Sequence, residues 1–319
     1  MSYLRLKGIT EIGHSTLCDQ LKVNVVEFFN WGLLEVGAFS NVSLGQLGSY
    51  GGDMSQLRLS SDPNFIYGQV WESFRQDWVW QSGLDYSYQP KIVSGVYVDD
   101  YFFPSSTTGI YQHSIDYKNG RVVFSNPINT SSKVQVEFSY RTYTFYTSDE
   151  PWFREVIFNS HRVDDSQFLQ QGSGIWSTLS QNRFQLPSVV VETVPRRDFI
   201  PKQLGGGMWV YQDVIFHILS ENPWDRDKLI DIITYQKNKT ILSFDKNRLY
   251  ENNAYPLDDN GDIKDGALSY PDLVKPSGEG GYFWKKIYIN DMKTQEVTST
   301  PPLYRAIVRG TFETDFSNL

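Results

Sequence analysis

The stretch Val210-Tyr-Gln-Asp-Val-Ile-Phe-His-Ile-Leu-Ser220, running through Glu221 into Asn222-Pro-Trp-Asp-Arg-Asp-Lys-Leu-Ile-Asp231, decides the fold class. From Trp209 to Ser220 apolar side chains fall on both faces of an extended chain, with Val214, Phe216 and Ile218 opposed to Tyr211, Ile215 and Leu219. A strand of that kind is expected to be covered on both sides. Asn222 then offers a side-chain cap, Pro223 suits the first helical position, and Asp225 and Asp227 stand near the positive end of the helix dipole. Leu229, Ile230, Ile232 and Ile233 give this helix an apolar face.

Further strands surround this unit. Ser188 to Val194 is an apolar run after Pro187, and Thr240 to Phe244 reads as a short strand. Two long strands follow, Tyr282 to Met292 and Leu303 to Phe316, the second with Tyr304, Ala306, Val308, Phe312 and Phe316 on one face. Near the other end of the chain, Thr16 and Asp19 have the spacing of a capping box. Leu21, Val25, Phe28, Phe29 and Leu33 then recur at helical intervals until Gly37 supplies a stop. Ala38 to Leu44 reads as a short strand, and Gly45 to Gly52 as a connection near a domain boundary.

Between these parts the apolar period changes to two. Ile92, Val96 and Val98 alternate with polar or small residues, and Asn119-Gly120 between two such runs predicts a β-hairpin. Val134, Val136, Phe138 and Tyr140 hold one face of a further strand, and the parity switches at Tyr143 and Phe145, which predicts a bulge or sharp bend near Arg141. The expected class is therefore α+β: an α/β core, a sheet flanked by helices, interrupted by an all-β, sandwich-like insertion. The expected division is residues 1–60 for the first part of the core, 61–149 for the β insertion and 150–319 for the rest of the core.

Composition narrows the classes. With 319 residues, 40% hydrophobic and 21% charged, the chain can bury a real core, as two domains or as one with a large insertion. The 24 Gly and 14 Pro are near ordinary usage, which excludes collagenous and low-complexity classes. Aromatic residues at 15% favour strands and large contact surfaces, and also permit sugar stacking. Cys18 is the single cysteine, so no intrachain disulfide or cysteine-based zinc site can form. No cationic segment followed by an apolar run opens the sequence and no stretch reaches a membrane-spanning length, so a cytoplasmic origin without membrane insertion is expected, and the sequons at Asn41, Asn129 and Asn238 carry little meaning. A formal charge of −8 argues against a broad grip on a phosphate backbone.

Catalytic motifs are not apparent. His14, His113, His161 and His217 are far apart, and His217 reads as a structural imidazole within its strand. Asp258, Asn260 and Asp262 alternate as calcium ligands can, but Ile263 and Ser269 stand where an EF-hand needs Gly and Glu, so a solvated turn is expected. Gly205-Gly-Gly207 precedes a strand and lacks the features of a phosphate loop. Asp164 and Asp165 are merely adjacent, and nothing motivates a glycosidase. Arg196 and Arg197 open a loop that continues through Lys202 and Leu204, and these four are the expected protein-interface residues. No enzyme activity, cofactor or metal is expected.

The helix at Thr16 to Val36, the segment Leu186-Pro-Ser-Val-Val-Val-Glu192, the Val210 to Asp231 unit and the closing strand Arg305 to Phe316 together resemble the tail terminator family of long-tailed bacteriophages. The resemblance covers about half of the chain, and the β block departs from the compact family pattern as an insertion. Its hairpin Ile115-Asp-Tyr-Lys-Asn-Gly-Arg-Val-Val-Phe124 resembles β modules of phage virion proteins. The resemblance implies a virion protein of the neck or upper tail, a homo-oligomeric ring of about six copies that caps the tail tube and joins it to the head connector, with DNA passing through unheld. The ring is expected to form through edges of the core sheet, the long terminal strand offering one. Other neck components, a connector or tail-completion protein, are alternatives. A carbohydrate-binding tail-fibre or baseplate module is another, motivated by Trp71, Trp78, Trp80 and the aromatic β block.

Overall fold

The structure, a computed structural model, describes residues 14–48, 52–150, 152–153, 185–201, 208–246, 257–258, 260–274, 286–300 and 303–316. It is an α+β protein made mostly of strands. Its largest element is a six-stranded sheet built from β10 (Thr144–Thr147), β11 (Ser188–Pro201), β12 (Met208–Ser220), β15 (Leu303–Phe316), β14 (Lys286–Thr300) and β13 (Thr240–Leu242), in that spatial order. The β10–β11 pair is parallel and all the others are antiparallel. The terminal strand β15 lies inside the sheet, paired along its length to β12 and β14, so it has no edge to offer a neighbour. That corrects the expected role of this strand in subunit contacts.

Two helices cover one face. Helix α1 (His14–Glu35) sets Leu21, Val25, Phe29 and Leu33 against Val189, Val191 and Phe216, and α2 (Pro223–Thr234) adds Leu229 and Ile233 to the same core. The alternation along β12 puts Val214, Phe216 and Ile218 into this core, as the period of two requires. Phe29 stacks on Phe145 with centroids 4.6 Å apart and meets Phe216 edge-on at 5.6 Å.

The opposite face differs from the expectation of full cover. Among the described residues it is closed at one end, where Leu219 packs with Leu186 and Leu303, and Val190 with Tyr146 and Phe153. Tyr211, Ile215 and His217 farther along β12 are only half-buried. Cross-strand ion pairs occupy this face: Arg309 with Asp213, and His217 Nε2 at 2.8 Å from Glu192 Oε2. Antiparallel sheets tolerate one solvated face, and charge pairing suits it.

The helix ends follow the sequence closely. At α2, the Asn222 side chain accepts from the Asp225 N–H at 2.8 Å and Pro223 opens the helix. At the end of α1, Gly37 has φ +80°, its N–H donates to Leu34 O and the Ala38 N–H donates to Leu33 O, each at 2.9 Å, a Schellman closure. A Cβ at Gly37 would come within 2.5 Å of the Tyr86 ring. The expected capping box is displaced: α1 already begins at His14, so Thr16 lies within it, and Asp19 pairs with Lys22 and Lys246 instead.

The β module contains β1 (Phe39–Val42), β2 (Arg58–Leu59), β3 (Val70–Glu72), β4 (Gly95–Val98), β5 (Tyr101–Pro104), β6 (His113–Asp116), β7 (Arg121–Phe124), β8 (Val134–Gln135) and β9 (Phe138–Arg141). They form sheets of order β2-β3-β7-β6, β5-β4-β8 and β1-β9 around one core that holds Trp71, Trp78, Val96, Val122, Phe124 and Phe138. The β6–β7 hairpin is present, with Asp116 paired to Arg121 across the loop and Gly120 at φ +62°. Here a glycine is required: a Cβ would meet the Arg75 carbonyl at 2.1 Å. Strand β1, placed in the core by the sequence reading, pairs with β9 of the module, whereas β10 joins the core sheet. The parity switch near Arg141, for which a bulge or sharp bend is the expectation, is the chain leaving one sheet for another through Thr142 and Tyr143.

The acidic turn around Asp258 also belongs to this module. Its carboxylates bind backbone: Asp258 Oδ1 accepts from the Asn260 and Asp262 N–H groups at 2.8 and 2.9 Å. Asp262 Oδ2 accepts from Ile115 N–H at 3.1 Å, and Gly261 O from Tyr117 N–H at 3.1 Å. The turn expected to be solvated therefore covers the edge of β6, with Leu257 and Ile263 packed on the module core.

Candidate interaction surfaces and the joint between the two bodies

Helix α1 carries three buried carboxamides among its polar positions, and each finds buried backbone beside the core sheet rather than another side chain. Asn30 Oδ1 accepts from the Phe145 N–H at 2.9 Å while its Nδ2 donates to Phe145 O at 3.1 Å. That pair occupies the outer edge of β10, one margin of the core sheet. At the other margin, just beyond β13, Asn24 Oδ1 accepts from Phe244 N–H at 2.9 Å and Asn24 Nδ2 donates to Phe244 O at 3.0 Å. Gln20 adds a bond to Phe244 O and accepts from Lys246 N–H at 3.0 Å. One helix thus reaches backbone at both margins of a curled sheet. Strand edges left open invite pairing with another chain, and at β10 the Asn30 amide satisfies backbone groups that a neighbouring strand would otherwise use. Phe244 lies beyond the end of β13, and among the described residues no strand pairs outward with β11 from Glu192 to Pro201 or with β14 from Asn290 to Thr300.

The expected interface residues are only partly brought together. Arg196 and Arg197 lie in β11, not in a loop, where the register with β12 shifts between Thr193 and Arg197. Lys202 and Leu204 lie outside the described residues, as do the Gly205-Gly-Gly207 run, His161 and the Asp164–Asp165 pair. His217 is paired with Glu192, and that hydrogen bond holds the Glu192 carboxyl below its ordinary range. His113 is buried, with Nδ1 2.8 Å from Tyr111 O, and burial pushes its imidazole towards the neutral form. Among the described residues no group of three or more His, Cys, Asp or Glu side chains is placed to hold a metal ion. Trp71 and Trp78 are 4% and 1% exposed inside the module core, where neither can stack on a sugar. Exposed aromatic side chains occur elsewhere: Trp224 and Tyr235 on and just after α2, at 68% and 83%, and Tyr101 on β5 at 74%. Trp224 also carries Lys228 over its ring at 5.0 Å.

Among the described residues a set of titratable groups lies where the two bodies meet, and no sequence motif marks it. Asp77, one residue before the buried Trp78, accepts a hydrogen bond from the Tyr146 hydroxyl of β10. The Asp77 N–H donates to Lys118 O at 3.0 Å, and Asp77 O accepts from Arg141 N–H at 3.2 Å. The Arg141 guanidinium donates from Nη1 to Asn30 O at 3.1 Å. Burial pushes the Asp77 carboxyl up to about 6 against the opposing pull of the Tyr146 bond and the Arg141 and Lys118 charges. Glu27 of α1 is raised for the same reason, with Arg141 opposing. Lys118 Nζ pairs with Glu150 at 3.2 Å, and Arg75 reaches Gln185 Oε1 at 3.0 Å and Leu186 O at 3.2 Å.

The mixed α+β class is as far as fold and surfaces define the protein. No protein family and no characterised protein matches the sequence. No helix among the described residues is long and apolar enough to cross a membrane.

Proposed function

We propose that the protein is a structural component of a tailed-phage virion, a ring at the neck or upper tail that caps the tail tube and joins it to the head connector. The reading assigns no reaction to it. The observation that carries it is the placement of Asn24 and Asn30, which puts one helix on backbone at both margins of the core sheet. A subunit that ends a polymer must limit the strand edges it offers the next copy, and Asn30 closes the β10 edge in this way, while the longer edges of β11 and β14 have no strand partner among the described residues. The ring contacts are then assigned to the outer edge of β11, which runs past the short β10 and carries the Arg196–Arg197 segment. Burial of Trp71 and Trp78, two of the three tryptophans that motivated a sugar-binding module, supports this reading over it, while Trp80 is half-buried against the module core.

Reconstruction of intact particles tests it directly. The expected result is about six copies in one ring between tail tube and connector, and loss of the gene is expected to leave tubes of uncontrolled length. Density in a different neck layer would assign it to a connector or tail-completion role, and density in a fibre or baseplate would overturn the reading.

DNA is expected to pass without being held. A ring of about six subunits carries about six times the formal −8 of one chain, which repels duplex phosphates. Titration with duplex DNA should show no binding at physiological salt and at most weak binding at low salt that fades as salt rises. Micromolar association persisting at about 0.2 M salt would move the reading to a DNA-gating connector.

A further inference from the structure

We infer that the joint between the β module and the core sheet is a titratable hinge, in which the Asp77 carboxyl, set between Tyr146 and Arg141, governs how firmly the module seats. This inference stands apart from the neck assignment, because it needs only the geometry of a single chain.

Three observations carry it. First, the chain passes from β9 to β10 through only Thr142 and Tyr143, and the bodies keep separate large cores. A small apolar cluster of α1 and module residues, including Trp31, Leu34 and Val79, bridges them. The other ties are polar: Asp77 to Tyr146, Lys118 to Glu150, Arg75 to Gln185, and Asp85 N–H to Glu35 at 3.1 Å. A contact plane rich in polar ties separates more readily than an apolar core. Second, Asp77 holds φ +53°, a left-handed backbone that a residue with a Cβ adopts at a cost, and its position is fixed from both sides by Lys118 O and Arg141 N–H. Third, the groups facing its carboxyl come from every element packed on it: Tyr146 from β10, Arg141 from β9, Lys118 from the β6–β7 loop and Glu150 after β10. Glu27 of α1 draws on the same Arg141 cation.

The direction of the switch follows from burial. The closed joint keeps Asp77 protonated up to about pH 6, whereas an opened, hydrated carboxyl returns towards 3.8. Closing therefore binds a proton between those values, and closure is strongest in mild acid. As pH rises through about 6 the closed form must hold a partly buried charge, and the joint loosens. The shift corresponds to a loosening of about thirty-fold between pH 4.5 and 7.5.

Hydrogen exchange of the full chain across that pH range tests the hinge. The reporter is the Asp85 amide, whose bond to the Glu35 carboxylate of α1 crosses the joint, and the Arg141 and Thr142 amides, bonded within the module to Asp77 O and Ala38 O, report unfolding of the module itself, all with rates corrected for intrinsic exchange. The protection of the Asp85 amide is expected to fall about thirty-fold from pH 4.5 to 7.5 while the Phe216 amide inside the core sheet stays flat. Asp77→Asn is expected to remove most of the dependence, leaving only what Glu27 contributes, and an unchanged profile in that variant, or a flat wild-type profile, would overturn the inference. Should Asp77→Asn not fold, Tyr146→Phe decides: losing a bond that favours the ionised carboxyl must move the midpoint to higher pH, and an unmoved midpoint sinks the proposal.

Discussion

Replacing Asn30 by leucine is expected to lower stability by about 3 kcal/mol and to make the protein self-associate. The two side chains share a branched outline and the same number of heavy atoms, and the bulkier methyl groups of leucine add a packing cost to the lost hydrogen bonds. What is lost is a reciprocal pair of bonds to Phe145 N–H and O, on a residue that is 2% exposed. Each buried backbone group left without a partner costs about 1–3 kcal/mol, since water cannot reach it to compensate. The same change frees an edge of β10. Urea unfolding would read the stability, and light scattering the association. Asn24→Leu is expected to do less at the other margin, because Gln20 still donates to Phe244 O. A leucine variant as stable and as monodisperse as the wild type would remove the observation on which the capping reading rests.

The sequence makes local structure legible wherever a single residue has a single geometric reason. Asn119-Gly120 marks a hairpin, and Asn222-Pro223 marks a helix start, because few residue types satisfy those backbone positions. The long apolar strands were legible from their periods. Their order was not, since β15 reads identically whether it sits at an edge or between β12 and β14. The parity switch near Arg141 shows the same limit: a bulge and a change of sheet leave the same pattern. Gln20, Asn24 and Asn30 look like ordinary polar positions on a helix until the sheet curls around to meet them. The joint was invisible for a related reason. Asp77, Arg141 and Tyr146 share no spacing, and their coupling arises only when β9 hands the chain to β10. Arg196 and Arg197 looked like loop residues because the apolar run ends at Val194, yet pairing with β12 carries the strand on to Pro201.

Trp78→Ala should have the largest effect in the β module and should also show whether the two bodies fail together. Trp78 is 1% exposed, stacks on Phe138 with centroids 4.5 Å apart, and donates from Nε1 to Ser73 Oγ at 3.3 Å. Truncation removes the stacking, leaves a large cavity and is expected to cost about 3–5 kcal/mol. The position also matters. Trp78 follows Asp77 directly and precedes Val79, which packs with Trp31 and Leu34 of α1, so slack at Trp78 is passed to the joint. The amides of Arg141 and Thr142 are therefore expected to lose protection first, while Phe216 in the core sheet retains most of its own. Equal loss at all three would mean that module and core unfold as one cooperative unit. The polar plane between them would then not be the weak one, and a hinge there would have no opening to govern.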